Sequence, residues 1–541
     1  MLLGTVVKTL EMNYLICMHT LNDHIDTQSE IFKANRAYLQ TQLDIMQADY
    51  KALGCHQSTT KKQQDQQSSS IRMRLKWLLD EHQPFLEIGA LAAKGTDQPL
   101  GGGAVAGIGF ISGRLVVVFG NDHNVKGGTL NVYTYKKWLR ALEIALQHKL
   151  PYISLVQSAG YDLDLEKQAK SNGLAMPHFA YSGKEFYLMC QLSKENIPTI
   201  CMVFGSCTAG GAYQPALSDY TIFVKGQAKV YLAGPPLVKM ATGEEKTHEQ
   251  LGGARMHATE SGLADFLAEN DQDACQQCRH LVANILPEAP KASQTFKPPK
   301  LPSDNLLGWL DPELRYAVDM GALLARVLDD QSWFAYKPNY GSTLMCGWGT
   351  VMGMPVALIA NNGNLTKDAA LKGASFIQLA NQQAKPIIFL HNNTGFMVGE
   401  AAEKSGIIKA GAAFIKAMST SMVPHISLLI GASYGAGTYA MCGPGFEPNF
   451  SFMWPVGKCN VMGPSQMSGV MAMIKKKVTT SDQDPVKKMA QQQEQAFNLA
   501  SELAVDGIID PRETRSLIGF LLYIFTLKPI NGNVDMGAVR F

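Results

Sequence analysis

The amino-acid sequence predicts an α/β protein built from two homologous copies of one domain, and three observations carry that reading. Short apolar runs alternate with amphipathic helical stretches from Gly101 onward, the pattern of helices packed on a sheet. A buried run that dissolves into small residues occurs twice. Ile200-Cys-Met-Val-Phe204 leads into Gly205-Ser-Cys-Thr-Ala-Gly-Gly-Ala-Tyr213, and Ile426-Ser-Leu-Leu-Ile430 leads into Gly431-Ala-Ser-Tyr-Gly-Ala-Gly-Thr-Tyr439. Further blocks recur around these motifs in the same order. Gly107, Gly109, Gly113, Val116 and Asn121 return as Gly347, Gly349, Gly353, Val356 and Asn361. Pro151 and Gly160 return as Pro386 and Gly395, Leu232-Ala-Gly-Pro235 as Val461-Met-Gly-Pro464, and Ser261-Gly-Leu-Ala-Asp265 as Asp506-Gly-Ile-Ile-Asp510. The spacing between partners drifts from block to block, so the copies differ in loop length but keep the order of their elements.

At 541 residues the chain exceeds one ordinary core, and two large domains are expected. The expected division is an extension over 1–22, a first domain over 23–290, a linker over 291–304 and a second domain over 305–541. Pro287, Pro290, Pro298, Pro299 and Pro302 set the linker, because proline at that density continues neither a helix nor a central strand. Hydrophobic residues at 46% and charged residues at 17% describe a well-packed soluble chain. A net charge of +2 gives no reason to expect a general nucleic-acid binder, and Lys475-Lys-Lys477 reads as a solvated helix face. The ten cysteines are scattered through apolar runs. Cys275-Gln-Gln-Cys278 has no second pair at zinc spacing, so no metal is expected in this chain, and a reducing compartment fits: the cytoplasm, or the mitochondrial matrix in a eukaryote. No uncharged apolar run reaches the ~18 residues of a membrane span, and residues 1–22 lack the charge pattern of a secretion or transit signal.

Taken in order, residues 23–54 read as a helix opened by Asp26-Thr-Gln-Ser29, with Ile31, Phe32, Leu39, Leu43 and Met46 as its apolar stripe. Residues 57–70 are polar and low in complexity and read as a connector. A helix is expected from Ile71 to Leu79, then a hairpin of Val105–Phe110 and Leu115–Phe119 around Ser112-Gly113. Tyr135–His148 and Ala180–Lys194 read as helices, Tyr152–Val156 and Thr199–Phe204 as buried strands.

There is no phosphate-binding GxxxxGK[ST], no HExxH and no GxSxG elbow. Gly101-Gly-Gly-Ala-Val-Ala-Gly107 precedes a strand rather than joining strand to helix, which is the wrong context for a dinucleotide loop. A strand that ends in small residues and enters a helix does something else. It presents backbone N–H groups at a helix N-terminus, where paired donors can stabilise an enolate or tetrahedral oxyanion. The plainer alternative is that these glycines only permit close strand–helix packing. Side chains offer less. His257 reads as a structural loop histidine before an acid or base. Cys207 and Cys442 lie beside the motifs with no adjacent histidine to activate them, and Tyr213 and Tyr439 read as packing residues. Lys126 and Lys239 are candidate contacts for a phosphorylated ligand.

At these residues the chain resembles a known family. Gly205–Tyr213, Leu232-Ala-Gly-Pro-Pro-Leu-Val-Lys239 with Ala241-Thr-Gly-Glu-Glu245, and Asn393-Thr-Gly-Phe-Met-Val-Gly399 look like the carboxyltransferase (β) subunit of biotin-dependent acyl-CoA carboxylases. So do Gly431–Met441 and Asp506-Gly-Ile-Ile-Asp-Pro-Arg512 with Thr514-Arg515, and the wording is nearest the methylcrotonyl-CoA and geranyl-CoA branch. The resemblance implies two tandem crotonase-like (ββα superhelix) carboxyltransferase domains. The first would hold the acyl-CoA and the second carboxybiotin, with the active site formed between domains of different subunits. Gly210 and Gly211 would donate N–H groups to the thioester oxygen, and Gly435 and Ala436 to the ureido oxygen of biotin. Ala209, Ala212, Gly234, Lys239, Thr394, Gly395, Phe396, Tyr434 and Gly437 would line the cofactor-binding surfaces. The proton acceptor would belong to the cofactor, which accounts for glycines where a base is sought.

The sequence carries no Met-Lys-Met biotinylation site and no ATP-grasp signature, so the resemblance implies a partner α subunit with biotin carboxylase and biotin carrier domains, around a homo-oligomer, a hexamer. No membrane or nucleic-acid partner is implied. The chain departs from the family at Gln157, usually Asp, at Tyr161-Asp-Leu-Asp-Leu165, at Pro444, usually Arg, and at Pro464-Ser465, usually Gly-Glu. A decarboxylase subunit, a propionyl-CoA-type carboxylase and a non-catalytic scaffold of the same fold remain open alternatives.

Overall fold

The computed structural model describes residues 21, 24–53, 69–162, 180, 182–290, 295–314, 318–475 and 485–532. The segments read as an extension and a connector fall mostly outside these, as do Lys476 and Lys477. Two eight-stranded sheets have the same strand order. The first contains β1 (Leu86–Ile88), β2 (Ala104–Ile111), β3 (Arg114–Asn121), β4 (Tyr152–Ser158), β5 (Thr199–Thr208), β6 (Tyr220–Val224), β7 (Lys229–Tyr231) and β8 (Phe266–Ala268). The second contains β9 (Phe334–Tyr336), β10 (Leu344–Val351), β11 (Met354–Asn361), β12 (Ile387–Asn393), β13 (His425–Tyr434), β14 (Phe450–Met453), β15 (Lys458–Asn460) and β16 (Gly507–Ile508). The orders are β1-β2-β3-β4-β5-β6-β8 with β7 on β5, and β16-β14-β13-β12-β11-β10-β9 with β15 on β13.

Each sheet opens with an antiparallel meander and continues parallel through β3-β4-β5-β6 or β11-β12-β13-β14. The repeat read in the sequence is therefore a repeat of topology. Its glycines keep their places: Gly109 pairs with Val116 across the first hairpin and Gly349 with Val356 across the second. Ser112-Gly113 makes the first hairpin turn, with both residues at positive φ and both N–H groups donating to the Asp80 carboxylate.

By compactness the chain divides into two units. One comprises Met46–Lys291 and Leu499–Gly507, the other Met1–Ile45, Ala292–Asn498 and Ile508–Phe541. Residues 499–507 are held in the first unit by bidentate ion pairing of Arg140 with Asp506 (2.7 and 2.9 Å) and by Lys136 Nζ donating to Glu502 O at 3.1 Å. The first helix runs Glu30–Ala52, shorter than the expected 23–54, because Asp26 and Ser29 form a capping turn ahead of it and Ser29 Oγ accepts from Phe32 N–H. Phe32, Leu39, Leu43 and Met46 are buried, whereas Ile31 falls on the exposed side.

The second helix is Ile71–Leu78, capped by Ser70, and the next begins earlier than expected, at Val132, because Asn131 Oδ1 caps two N–H groups. Gly101, Gly102 and Gly103 all have positive φ and lead into β2, the strand context expected of them. Cys275 and Cys278 are buried on one face of helix Asp271–Ile285 within the apolar core of the first unit. Among the described residues no helix is long and apolar enough to cross a membrane.

Candidate active site

The two motifs are built alike from the backbone up. In each copy the central parallel ladder carries one irregularity, between Val156 and Ser158 in β4 and between His391 and Asn393 in β12. The step from Val156 to Ser158 is matched by a longer one from Val203 to Cys207, and that from His391 to Asn393 by one from Leu429 to Ser433, so the extra residues lie in β5 and β13, opposite Gln157 and Asn392. Each of these side chains lies across the glycine that opens the neighbouring motif. A Cβ on Gly205 would stand 2.6 Å from Gln157 Nε2, and one on Gly431 2.3 Å from Asn392 Oδ1. These two glycines are packing residues.

Beyond them, β5 ends at Thr208 and turns through a 3-10 segment, Ala209–Ala212, while β13 ends at Tyr434 and enters the short helix Ala436–Ala440. The turning residue has positive φ in both copies, 51° at Ala209 and 55° at Gly435. At Gly435 ψ is −144°, a combination that only glycine adopts readily.

Donors follow the turn. Gly210 and Gly211 in the first copy, and Ala436 and Gly437 at the same positions in the second, have N–H groups with no acceptor among the described residues. Gly435 differs from expectation. Its N–H donates to Asn460 O at 3.0 Å, because β13 pairs with β15 up to Tyr434–Asn460 and the ladder captures the next amide. The available pair in the second copy is therefore Ala436 with Gly437.

The space in front of the pairs separates packing from ligand room. Added Cβ atoms on Gly210 and Gly211 would meet nothing nearer than Phe186 at 3.7 Å and Ser158 at 3.9 Å, and neither residue has a positive φ, so packing does not require glycine at either. At Gly437 packing does: a Cβ there would lie 2.0 Å from Asn393 Oδ1.

The expected companions fall around these turns unevenly. Thr394, Gly395 and Phe396 lie beside the second motif: the Gly395 Cα is 3.1 Å from a Cβ placed on Gly437, and Thr394 Oγ1 donates to Asn364 Oδ1 at 2.5 Å. Phe396 covers Gly411 in the helix behind, where an added Cβ would stand 3.1 Å from its ring. Tyr434 is buried and donates from its hydroxyl to Glu494 Oε2 at 2.9 Å, so its side chain braces the end of β13 from within. Burial, then the Glu494 carboxylate, push that phenol up, and burial likewise raises Glu494.

In the first copy Ala212 is buried in an apolar cluster, and Gly234 caps helix Pro235–Thr242 next to Tyr231, the partner of Thr208 across β5–β7. Lys239 and Lys126 are not free cations. Lys239 pairs with Glu245 at 2.5 Å on the surface, and Lys126 with Asp162 at 2.6 Å.

His257 spends both ring nitrogens on structure, against Val230 O at 2.8 Å and Ser261 Oγ at 2.6 Å. Tyr213 and Tyr439 are about half exposed, each meeting one aromatic ring, Phe186 and Phe446, rather than packed inside. Cys207 is buried and its thiol is pushed up by burial. Cys442 corrects the sequence reading: His425 Nδ1 lies 3.5 Å from its sulfur, a pairing hidden by a separation of 17 positions in the chain. Burial nevertheless raises the thiol and lowers His425 to about 4, so the pair is neutral and not an activated thiolate. Pro444 and Pro464 open the helical segments Pro444–Phe446 and Pro464–Lys475, where a missing N–H costs nothing, so these departures leave the second turn intact.

Comparison with known proteins agrees with this geometry. The carboxyl transferase domain family matches residues 62–528. The probable biotin-dependent acyl-coenzyme A carboxylase beta2 subunit of Mycobacterium tuberculosis is 42% identical, covering 87% of this chain and 90% of its own length. The mitochondrial methylcrotonoyl-CoA carboxylase beta chain of Dictyostelium discoideum is 38% identical over 95% of this chain and 90% of its own. Among solved structures, the geranyl-CoA carboxylase beta subunit of P. aeruginosa superposes with a TM-score of 0.84 at 36% identity, covering 95% of this chain and 98% of that one. With two crotonase-like domains of the same strand order, this chain belongs to the carboxyl transferase family, as a carboxyltransferase β-type subunit of the biotin-dependent acyl-CoA carboxylases.

Proposed function

We propose that this chain moves CO2 from carboxybiotin to a branched or unsaturated acyl-CoA of the methylcrotonyl- or geranyl-CoA type. The observation that carries this reading is the pair of equivalent turns, each ending a bulged parallel ladder with two N–H groups that have no acceptor among the described residues, Gly210 with Gly211 and Ala436 with Gly437. The names of the related methylcrotonoyl-CoA and geranyl-CoA carboxylase subunits support the substrate class.

The first turn takes the acyl thioester. Open space in front of Gly210 and Gly211 fits a carbonyl brought close to the backbone, and both N–H groups then stabilise the oxyanion of the acyl enolate as charge moves onto it. The second turn takes the ureido oxygen of biotin, with Ala436 and Gly437 as donors and Gly435 shaping the turn. Thr394 to Phe396 form the adjoining wall, and Tyr434 holds the strand end. Carboxybiotin, when bound, supplies the CO2 and the proton acceptor. In such a scheme the chain itself contributes binding, orientation and exclusion of water, and each donor accounts for roughly 3 kcal/mol of barrier. The biotin is carried on a separate α subunit, the chain works as a homo-oligomer, a hexamer, and its compartment is the cytoplasm or, as for the mitochondrial relatives, the matrix.

The test is the reverse half-reaction. Purified chain, free biotin and a methylglutaconyl-type CoA ester are mixed and biotin-dependent decarboxylation is followed. Turnover that requires both ligands is expected. Acyl-CoA binding with no turnover of any acyl-CoA, by the chain alone or with its α subunit, overturns the enzyme reading in favour of a scaffold.

A further inference from the structure

Beneath the second turn lies a buried polar chain that the first turn lacks. His391, fully buried in β12, contacts Ser433 Oγ through Nδ1 and Ser427 Oγ through Nε2, each at 2.9 Å. Ser433 Oγ donates onward to Thr438 Oγ1 at 3.0 Å. With that direction, Nδ1–H donates to Ser433 and Nε2 accepts from Ser427, so one neutral imidazole serves both serines, and the Met441 backbone also lies against the ring. Ser433 is the penultimate residue of β13, and Thr438 is the third residue of the helix that follows Gly435. The chain therefore ties the strand end to the helix start, on either side of the donors Ala436 and Gly437.

The first copy supplies an internal control. Strand registers match between copies: Val156 pairs with Val203 and Ser158 with Cys207, as His391 pairs with Leu429 and Asn393 with Ser433. The positions of His391, Ser427, Ser433 and Thr438 are thereby occupied in the first copy by Val156, Cys201, Cys207 and Ala212. All four belong to one buried apolar cluster. At these four positions the first copy thus holds the corresponding strand and turn without a hydroxyl or imidazole. Burying an imidazole and three hydroxyls costs free energy unless every one is satisfied, so the fold alone gives no reason for the polar set. A satisfied network fixes direction, which apolar contacts do not.

We propose that His391 is a positioning residue for the transfer reaction, aiming the N–H groups of Ala436 and Gly437 through Ser433 and Thr438. This rests on the reading of the second turn as the biotin side. The first copy prescribes the test variant, H391V/S427C/S433C/T438A, which installs the apolar set that packs at the corresponding positions of the first copy. The variant is expected to unfold cooperatively with a Tm within about 5 °C of wild type. Its dissociation constant for free biotin is expected to rise roughly tenfold or more and kcat to fall by a similar factor, because small misplacements of donors are costly. Its KM for acyl-CoA should stay at the wild-type value. Amide exchange at Thr438 and Met441, whose N–H groups donate to Gly435 O and Gly437 O, should quicken, with the amides of Ala212 and Tyr213 unaffected.

If the quadruple variant does not fold, Thr438→Val and Thr438→Ser decide. The hydroxyl-free variant is expected to show the biotin defect and the serine variant to restore affinity to within about twofold. Folded variants with unchanged biotin affinity and amide exchange overturn the role of His391 alone. A wild-type chain that binds no biotin and transfers no carboxyl group overturns the proposed function instead.

Discussion

The turns at Ala209–Tyr213 and Gly435–Tyr439 share a bulged strand leading in, a positive-φ corner and two N–H groups with no acceptor among the described residues, yet they are supported in opposite ways. Under the first is an apolar cluster, and the glycines that present the donors face open space. Under the second is the His391 chain, the second donor glycine is pressed against Asn393, and the corner amide is captured by Asn460. One turn has open space in front of its donors, and the other has a polar chain behind them. Equivalent backbone thus presents two different surroundings once the side chains beneath it diverge.

The support of Gln157 and Asn392, the residues opposite the bulges, differs as well, and the largest expected effect follows from it. Gln157 Oε1 accepts from Arg74 Nη2 at 2.9 Å, and Arg74, fully buried, pairs with the equally buried Asp271 at 2.9 Å and lies over Phe204. Asn392 needs no charge, since its Oδ1 accepts from Ala432 N–H at 3.2 Å. Arg74→Met leaves the Asp271 carboxylate uncompensated and is expected to cost about 3–5 kcal/mol in urea unfolding. Acyl-CoA binding should be lost at lower urea than biotin binding. Simultaneous loss of both would show that the two copies are not separately supported.

The donor glycines give the next effect. Gly437→Ala places its methyl against Asn393 Oδ1 and is expected to destabilise by about 1–3 kcal/mol, whereas Gly211→Ala, at the same position of the first copy, should change stability by less than about 0.5 kcal/mol. Equal destabilisation by the two would erase the distinction between packing and ligand space.

The smallest effect is on acid stability. Burial holds the His391 imidazole down at about 3, against an ordinary value of 6.5. The unfolded chain takes up this proton as the pH falls below about 6.5, and the folded chain does not, so stability present above that pH declines toward pH 4. Replacing His391 with Val removes this component. The decline in unfolding free energy between pH 7 and pH 5 is expected to be smaller in His391→Val than in wild type by roughly 1–2 kcal/mol. An identical decline in both would mean that His391 titrates normally in the folded chain.

Much of this was legible in the sequence because it rests on periodicity and on residues close together in the chain. The repeated glycines report a repeated topology, Ser112-Gly113 reports a hairpin, and the small residues after β5 and β13 report donors at a helix start. The missed features depend on contacts between distant segments. That Gly205 and Gly431 serve packing depends on the side chains of Gln157 and Asn392 in another strand. That Gly435 has spent its N–H depends on how far β15 extends along β13. The His425–Cys442 contact and the His391 chain join residues from separate strands and helices, and no local pattern marks a histidine in the apolar run Ile387-Ile-Phe-Leu-His391 as the centre of a network.

The central claim is that the two turns hold different ligands. It is tested most directly by calorimetric titration of Gly210→Val and Ala436→Val with methylcrotonyl-CoA and with free biotin. A branched side chain beside each donor pair should block approach to the backbone. Gly210→Val is expected to weaken acyl-CoA binding tenfold or more with biotin binding retained, and Ala436→Val to do the reverse. Loss of the same ligand in both variants, or the opposite assignment, would contradict the account.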